Sequence, residues 1–199
     1  MLQNVVSNIN KNYISKPYNY EGYFKYSRQV DGQEKVKEAT VTIYDAQGYH
    51  REDVASAFKE LNYKFNQVRR NSEVTSVWDG LTYFDDILTA DIVRNTRNVL
   101  DIVNSRDYKL KSKGKLVYEG DSVQVISYQA THPSISTTGD PAVQTYSGEI
   151  YVNLKDLAVL KNVVNLTSRD FNGLGRNLVT INEKPKSDVK MTITTTYKK

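Results

Sequence analysis

Apolar residues change their spacing along this chain, and the changes divide it into elements. Leu2, Val5, Val6, Ile9 and Tyr13 recur every three or four positions. That spacing predicts an amphipathic helix over 2–14, stopped by Pro17. From Tyr18 the period drops to two. Tyr18, Tyr20, Gly22, Phe24 and Tyr26 alternate with polar neighbours, which predicts a half-buried strand. Asp31-Gly32 predicts a hairpin turn, and Ala39, Val41 and Ile43 alternate in the return strand. A further strand is expected from Leu61 to Arg70. Residues 46–58 give no clear period.

After the break at Trp78-Asp79-Gly80, residues 81–103 carry a helical stripe: Leu81, Phe84, Leu88, Ile92, Val99 and Val103. Thr89 is placed to cap a second helix within it. The second half is strand-like. Tyr108, Leu110, Leu116 and Tyr118 alternate with lysines, Glu119-Gly120-Asp121 turns the chain, and Val123 to Ala130 returns. A polar loop covers 131–143. Tyr146 to Leu154 and Ala158 to Thr167 form the next hairpin around Lys155-Asp156. Residues 168–186 read as loop, and Val189, Met191, Ile193, Thr195 and Tyr197 close the chain. Short turns between strands predict an antiparallel meander that curls as it twists. The apolar stripe of 81–103 needs a surface, so central helices are expected to cover the concave face beside the N-terminal helix. The fold class expected is α+β, mainly β, in one domain over 1–199.

Composition narrows the chemistry. The chain has 199 residues, 39% hydrophobic and 25% charged, as in soluble globular proteins. Fifteen tyrosines suit pleated, half-buried surfaces. No apolar run reaches the ~18 residues of a membrane span. Residues 1–12 lack the pattern of a signal peptide, which fits either a cytosolic chain or one whose leader has been removed. With no cysteine, disulfides, thiolate chemistry and cysteine zinc sites are excluded. Net charge is +4, less than dedicated nucleic-acid binders carry, so no nucleic-acid partner is expected.

Few residues suggest catalysis. His50 and His132 each stand in a polar loop with no second histidine at metal-ligand spacing, so no metal is expected. Serines are frequent, which leaves a serine hydrolase open, but no G-x-S-x-G elbow is present. Asp85 and Asp86 point about 100° apart on a helix and do not converge as an acid/base pair; with Asp91 they read as helix acids. Gly173-Leu174-Gly175-Arg176 lacks the third glycine of a dinucleotide loop. The period of two places Lys109, Lys111, Lys113 and Lys115 on one strand face. They would meet an anion or, equally, protect a sheet edge. No enzyme activity and no cofactor are expected.

Several short stretches carry a resemblance: Ile9-Asn10-Lys11-Asn12-Tyr13, Glu38 to Tyr44 with Tyr49, Asp91-Ile92-Val93, Tyr108-Lys109-Leu110, and Tyr146 to Val152. Together they resemble a region of Bacteroides-type envelope proteins that follows a carboxypeptidase-like regulatory domain. The last stretch, continued through Leu160, also looks like the half-barrel sheet of LolA-like lipoprotein carriers. The resemblance implies a curved sheet with helices in its mouth, in the periplasm or on the outer-membrane surface. It implies a non-enzymatic module that holds a lipid or lipoprotein acyl chain. Phe24, Tyr26, Val41, Ile43, Phe84, Leu88, Ile92, Ile150 and Val152 would be the lining, with the four lysines at an anionic head group. The same residues serve equally as a closed core. A packed scaffold that binds an envelope protein partner therefore stays open. The leading regulatory domain and lipidation cysteine of such proteins are not in this sequence, and the closing Thr194 to Lys199 reads as cut within a longer envelope protein. Asp121-Ser122-Val123 fits the D-S/T-apolar pattern of O-glycosylation in such bacteria, which makes Ser122 a candidate acceptor.

Overall fold

The computed structural model describes residues 1–30, 33–51, 61–70, 91–101, 104–138, 143–168 and 189–198. The predicted N-terminal helix is α1 (Leu2–Asn12), with Val5 and Ile9 buried and the polar positions outward. Beyond it run β1 (Tyr18–Val30), β2 (Gln33–Asp45) and β3 (Leu61–Arg70). The second half holds β4 (Tyr108–Tyr118), β5 (Asp121–Ala130), a short α2 (Ile135–Thr138), β6 (Val143–Asn153), β7 (Val159–Ser168) and β8 (Val189–Thr196). The fold is mainly β and wholly antiparallel in its described pairings.

The strands divide into two sheets, β1-β2-β3 and β4-β5-β6-β7-β8, each in chain order. The β4–β5 turn has positive φ at Glu119 (50°) and Gly120 (87°), the signature of a tight type I′ hairpin. Gly120 meets that conformation without strain.

Alternation sorts the five-stranded sheet into two faces. The inner face carries Tyr128, Tyr146, Ile150, Val152, Val164 and Leu166, packed with Val5 and Ile9 of α1 and with Ile92, Val93, Val99 and Leu100. The outer face carries a smaller cluster of Val123, Val125, Ala158 and Leu160, flanked by Tyr118 and Tyr151. On β2, Ala39, Val41, Ile43 and Asp45 alternate as buried positions.

Residues 91–101 correct the predicted central helix where it is described. They form successive turns. Asp91 Oδ1 accepts from the Val93 and Arg94 amides, Asn95 Oδ1 from Arg97, and Asn98 Oδ1 from Leu100. Side chains that cap amides two and three residues on compete directly with the helical ladder. The apolar stripe is still buried, on loop backbone. Residues 81–90 and 102–103 of the expected helix lie outside the described residues.

Candidate functional site

Cover over the inner face is uneven. Above β6 and β7, α1 and the 91–101 turns close the sheet completely: Ile150, Val152 and Val159 have no solvent exposure. Towards β4 the cover stops. Leu110 and Ser112 of β4 stand opposite Tyr128 and Ile126 of β5. With Leu2, Val99 and Leu100 across from them, they bound a groove of about 470 Å³, open to solvent. Leu110 is 45% exposed although it points to the same side as the core. The walls are mainly apolar. Asp101, Ser105 and Gln124 supply polar groups at the lining. Gln124 is fixed there, its Nε2 donating to Ser112 Oγ (3.0 Å) and to the Gly114 carbonyl (2.7 Å).

A buried polar cluster holds the cover in place. Asp45, at the end of β2, is fully buried and receives Arg94 Nη1 at 2.6 Å. Its other oxygen accepts from the Gln47 and Gly48 amides. Gly48 has φ of 82°, and a Cβ there would lie 2.5 Å from the Ser15 carbonyl carbon. Asp91 accepts Tyr49 Oη on one oxygen and Tyr197 Oη, at 2.9 Å, on the other. Tyr13 packs against both rings and donates to the Val159 carbonyl at 2.8 Å. Arg51 reaches the Ile92 and Val93 carbonyls. The cluster joins the end of α1, the 46–51 loop, the 91–101 turns and the end of β8. Burial, and then Asp91 beside them, pushes the Tyr49 and Tyr197 hydroxyls well above their ordinary values. Burial raises Tyr13 too, against the Val159 hydrogen bond. These hydroxyls stay protonated donors at neutral pH.

A second cluster of rings packs Tyr108, Tyr128 and Tyr146 edge to face or tilted, with centroids 5.9 to 6.5 Å apart. Tyr128 stands across from Gly148. A Cβ at Gly148 would fall 2.1 Å from the Val163 carbonyl oxygen and 2.4 Å from the Tyr128 hydroxyl, so the glycine admits both the neighbouring strand and the ring. Tyr128 donates to Asn162 Oδ1 at 3.1 Å.

The residues singled out from sequence are dispersed. Ile92, Ile150 and Val152 meet in the packed inner core. Val41 and Ile43 are buried on β2, in the other sheet. Register sets Phe24 across from Ala39 and Tyr26 across from Lys37. Phe84 and Leu88 lie outside the described residues, as do Asp85, Asp86 and the Gly173–Arg176 segment. Ser122 is exposed just after the β4–β5 turn. His132 is exposed, and His50 Nδ1 lies 2.7 Å from the Gly48 carbonyl. Among the described residues no group of three or more His, Asp or Glu is placed to hold a metal ion.

The lysine row is not on one face. The β4–β5 register slips between Ser112 and Gly114, a bulge with Gly114 at φ of 102°. Lys109 and Lys111 pair with Gln129 and Ser127 on the outer face, whereas Lys115 pairs with Gln124 on the inner, grooved face. The extra residue reverses the alternation, and glycine tolerates the backbone that this needs. The groove's own lining, Leu2, Val99, Leu100, Leu110 and Ile126, was readable as apolar but not as a site. The one signal for it is Leu110, an apolar residue on a strand rich in lysine, as expected of an uncovered edge.

No family model matches the chain, and no curated protein matches it. Among solved structures, the chain is similar to the lipoprotein LppX of Mycobacterium tuberculosis, at 11% identity over 83% of this chain and 87% of that one, with a TM-score of 0.37. It is also similar to a DUF1329 family protein of Desulfovibrio piger, at 11% identity over 84% of this chain and 75% of that one, with a TM-score of 0.30.

Proposed function

We propose that this chain is a non-enzymatic module of the cell envelope that holds the apolar part of an amphiphile, a lipid or an acyl chain, in the inner-face groove. The observation that carries the reading is the groove beside Leu110. It has apolar walls, an open mouth and a volume of about 470 Å³, within the ~300–1,000 Å³ usual for small-ligand sites. The envelope location rests on the resemblance of the short sequence stretches. Ten buried methylenes would contribute roughly 8 kcal/mol before the costs of association, which sets micromolar or weaker binding as the expectation.

The head-group role moves along β4. Lys115 lies on the grooved side, cross-strand from Gln124, which lines the groove. Lys109 lies on the far side of the sheet. Lys111 borders the groove itself. An anionic head group is therefore assigned to Lys111 and Lys115, and Lys111→Glu with Lys115→Glu is expected to weaken an anionic amphiphile several-fold and leave a neutral one unchanged. The test is a titration of delipidated protein with a fluorescent fatty acid. Saturable binding displaced by a natural lipid is the expected result. A folded protein that takes up no probe would leave the alternative, a packed scaffold for an envelope protein partner.

A further inference from the structure

We infer that the outer face of the five-stranded sheet, opposite the groove, is a second binding site, for an acidic oligosaccharide of the uronate type. Register builds it in ranks. Lys109, Gln129, Ser147 and Asn165 stand side by side across β4 to β7, and Lys111, Ser127 and Glu149 form the next rank. These residues, with Lys113, line a depression of about 620 Å³. One rank further, Tyr151 presents a ring on the same face, 5.5 Å from the Tyr118 ring, with Lys161 Nζ 5.2 Å from the Tyr151 centroid.

The order of groups sets the ligand chemistry. Three ammonium groups lie along the β4 edge and attract an anion. The middle of the depression is not cationic. It offers hydroxyls, amides and one carboxylate, which exchange hydrogen bonds with neutral hydroxyl groups. Two of its side chains are already oriented: Ser127 Oγ donates to the Lys111 carbonyl at 3.2 Å, and Thr192 Oγ1 donates to Asn165 Oδ1 at 2.8 Å. Glu149 opposes a uniform polyanion such as a phosphate chain, because its charge would face the ligand's. A sugar acid places its carboxylate over the lysines and its hydroxyls over Ser147, Asn165 and Glu149. The tyrosine ring at the end suits the apolar C–H face of a pyranose.

The experiment titrates the full chain with oligomers of galacturonic acid, with neutral dextran oligomers and with inorganic polyphosphate. Three variants accompany it: Lys109→Glu with Lys113→Glu, Glu149→Gln, and, at a groove residue outside the depression, Leu2→Asp. All three substituted faces are exposed or partly exposed, and far-ultraviolet dichroism checks that each variant folds. Leu110 and Lys111 are left alone because each borders both the depression and the groove. The uronate should bind saturably and the dextran should not. The double lysine variant should lose at least ten-fold in affinity. Glu149→Gln should weaken the uronate about three-fold or more, since it removes a charged acceptor, and Leu2→Asp should leave it unchanged. Absence of uronate binding would overturn the inference. So would equal binding of polyphosphate strengthened by Glu149→Gln, which is unspecific attraction to lysines. Because Leu2 lines the groove and not the depression, failure here and failure of the lipid reading are separable.

Discussion

At the scale of single residues, the fold depends on a few positions whose chemistry cannot be exchanged. Asp45 and Arg94 are an ion pair with almost no exposure, 0% and 4% at the side chain. Asp45→Ala takes the carboxylate from a buried guanidinium and the acceptor from the Gln47 and Gly48 amides, so it should cost about 3–5 kcal/mol, read from urea unfolding. Arg94→Met with Asp45→Leu should recover part of that loss, because replacing both charges removes their desolvation cost but not the amides' need of an acceptor. Gly148→Ala should cost about 1–3 kcal/mol or more, because its Cβ would meet the Val163 carbonyl of β7 as well as the Tyr128 ring. Tyr128→Leu in the same background should recover only part of the penalty, because the backbone clash remains, and a double-mutant cycle would show the remainder.

Buried tyrosines add a pH dependence of definite sign. Burial pushes Tyr146 up to about 12, the Tyr128 hydrogen bond opposing it. Tyr49, Tyr128 and Tyr197 also lie well above their ordinary values. An unfolded tyrosine ionises near pH 10. Below that pH both states are protonated and stability is intact. Above it the unfolded chain loses protons that the folded chain keeps, and stability falls as pH climbs from about 10 through 12. Tyr146 alone would cost roughly 2 kcal/mol by pH 12. The measurement is tyrosinate absorbance during an alkaline titration. The buried tyrosines should ionise together, in the same step as loss of secondary structure.

At the scale of elements, the sequence is most legible where local pattern and burial agree. The period of two marks β1 to β8, and the period of 3.6 marks α1, because each face meets either core or solvent. Two features were not legible. The 91–101 segment carries a helical stripe, yet Asp91, Asn95 and Asn98 cap their own backbone, and tertiary packing accepts the apolar residues from turns. The β4 bulge is equally silent in the alternation. Lys113-Gly114-Lys115 reads as a uniform row until one extra residue is inserted against β5. A Cβ added at Gly114 would meet no atom within 4 Å. A substitution there is therefore disfavoured by backbone conformation alone, and Gly114→Ala should cost about 1 kcal/mol in thermal or urea unfolding.

At the scale of the whole molecule, two faces of one sheet are finished differently. The inner face is sealed over β6 and β7 and open at β4. The outer face is apolar near the β4–β5 turn and polar beyond it. Sequence alternation assigns residues to faces, but it cannot say where a cover ends, because coverage depends on how α1 and the 91–101 turns sit on the sheet. For that reason the candidate lining drawn from sequence includes Ile150 and Val152, the best apolar positions, which lie in the sealed part. The open part is marked by Leu110, an ordinary leucine between lysines.

The central claim is that the opening beside Leu110 accepts an acyl chain. Leu110 is partly exposed and outside the sealed core, so Leu110→Asp should fold with an unfolding midpoint close to that of the unaltered chain. The decisive measurement is the affinity of both proteins for the same fluorescent fatty acid after delipidation. A loss of at least ten-fold in the variant, with stability retained, is the result predicted. Equal affinity in the two proteins would place the probe elsewhere and contradict the groove as the site.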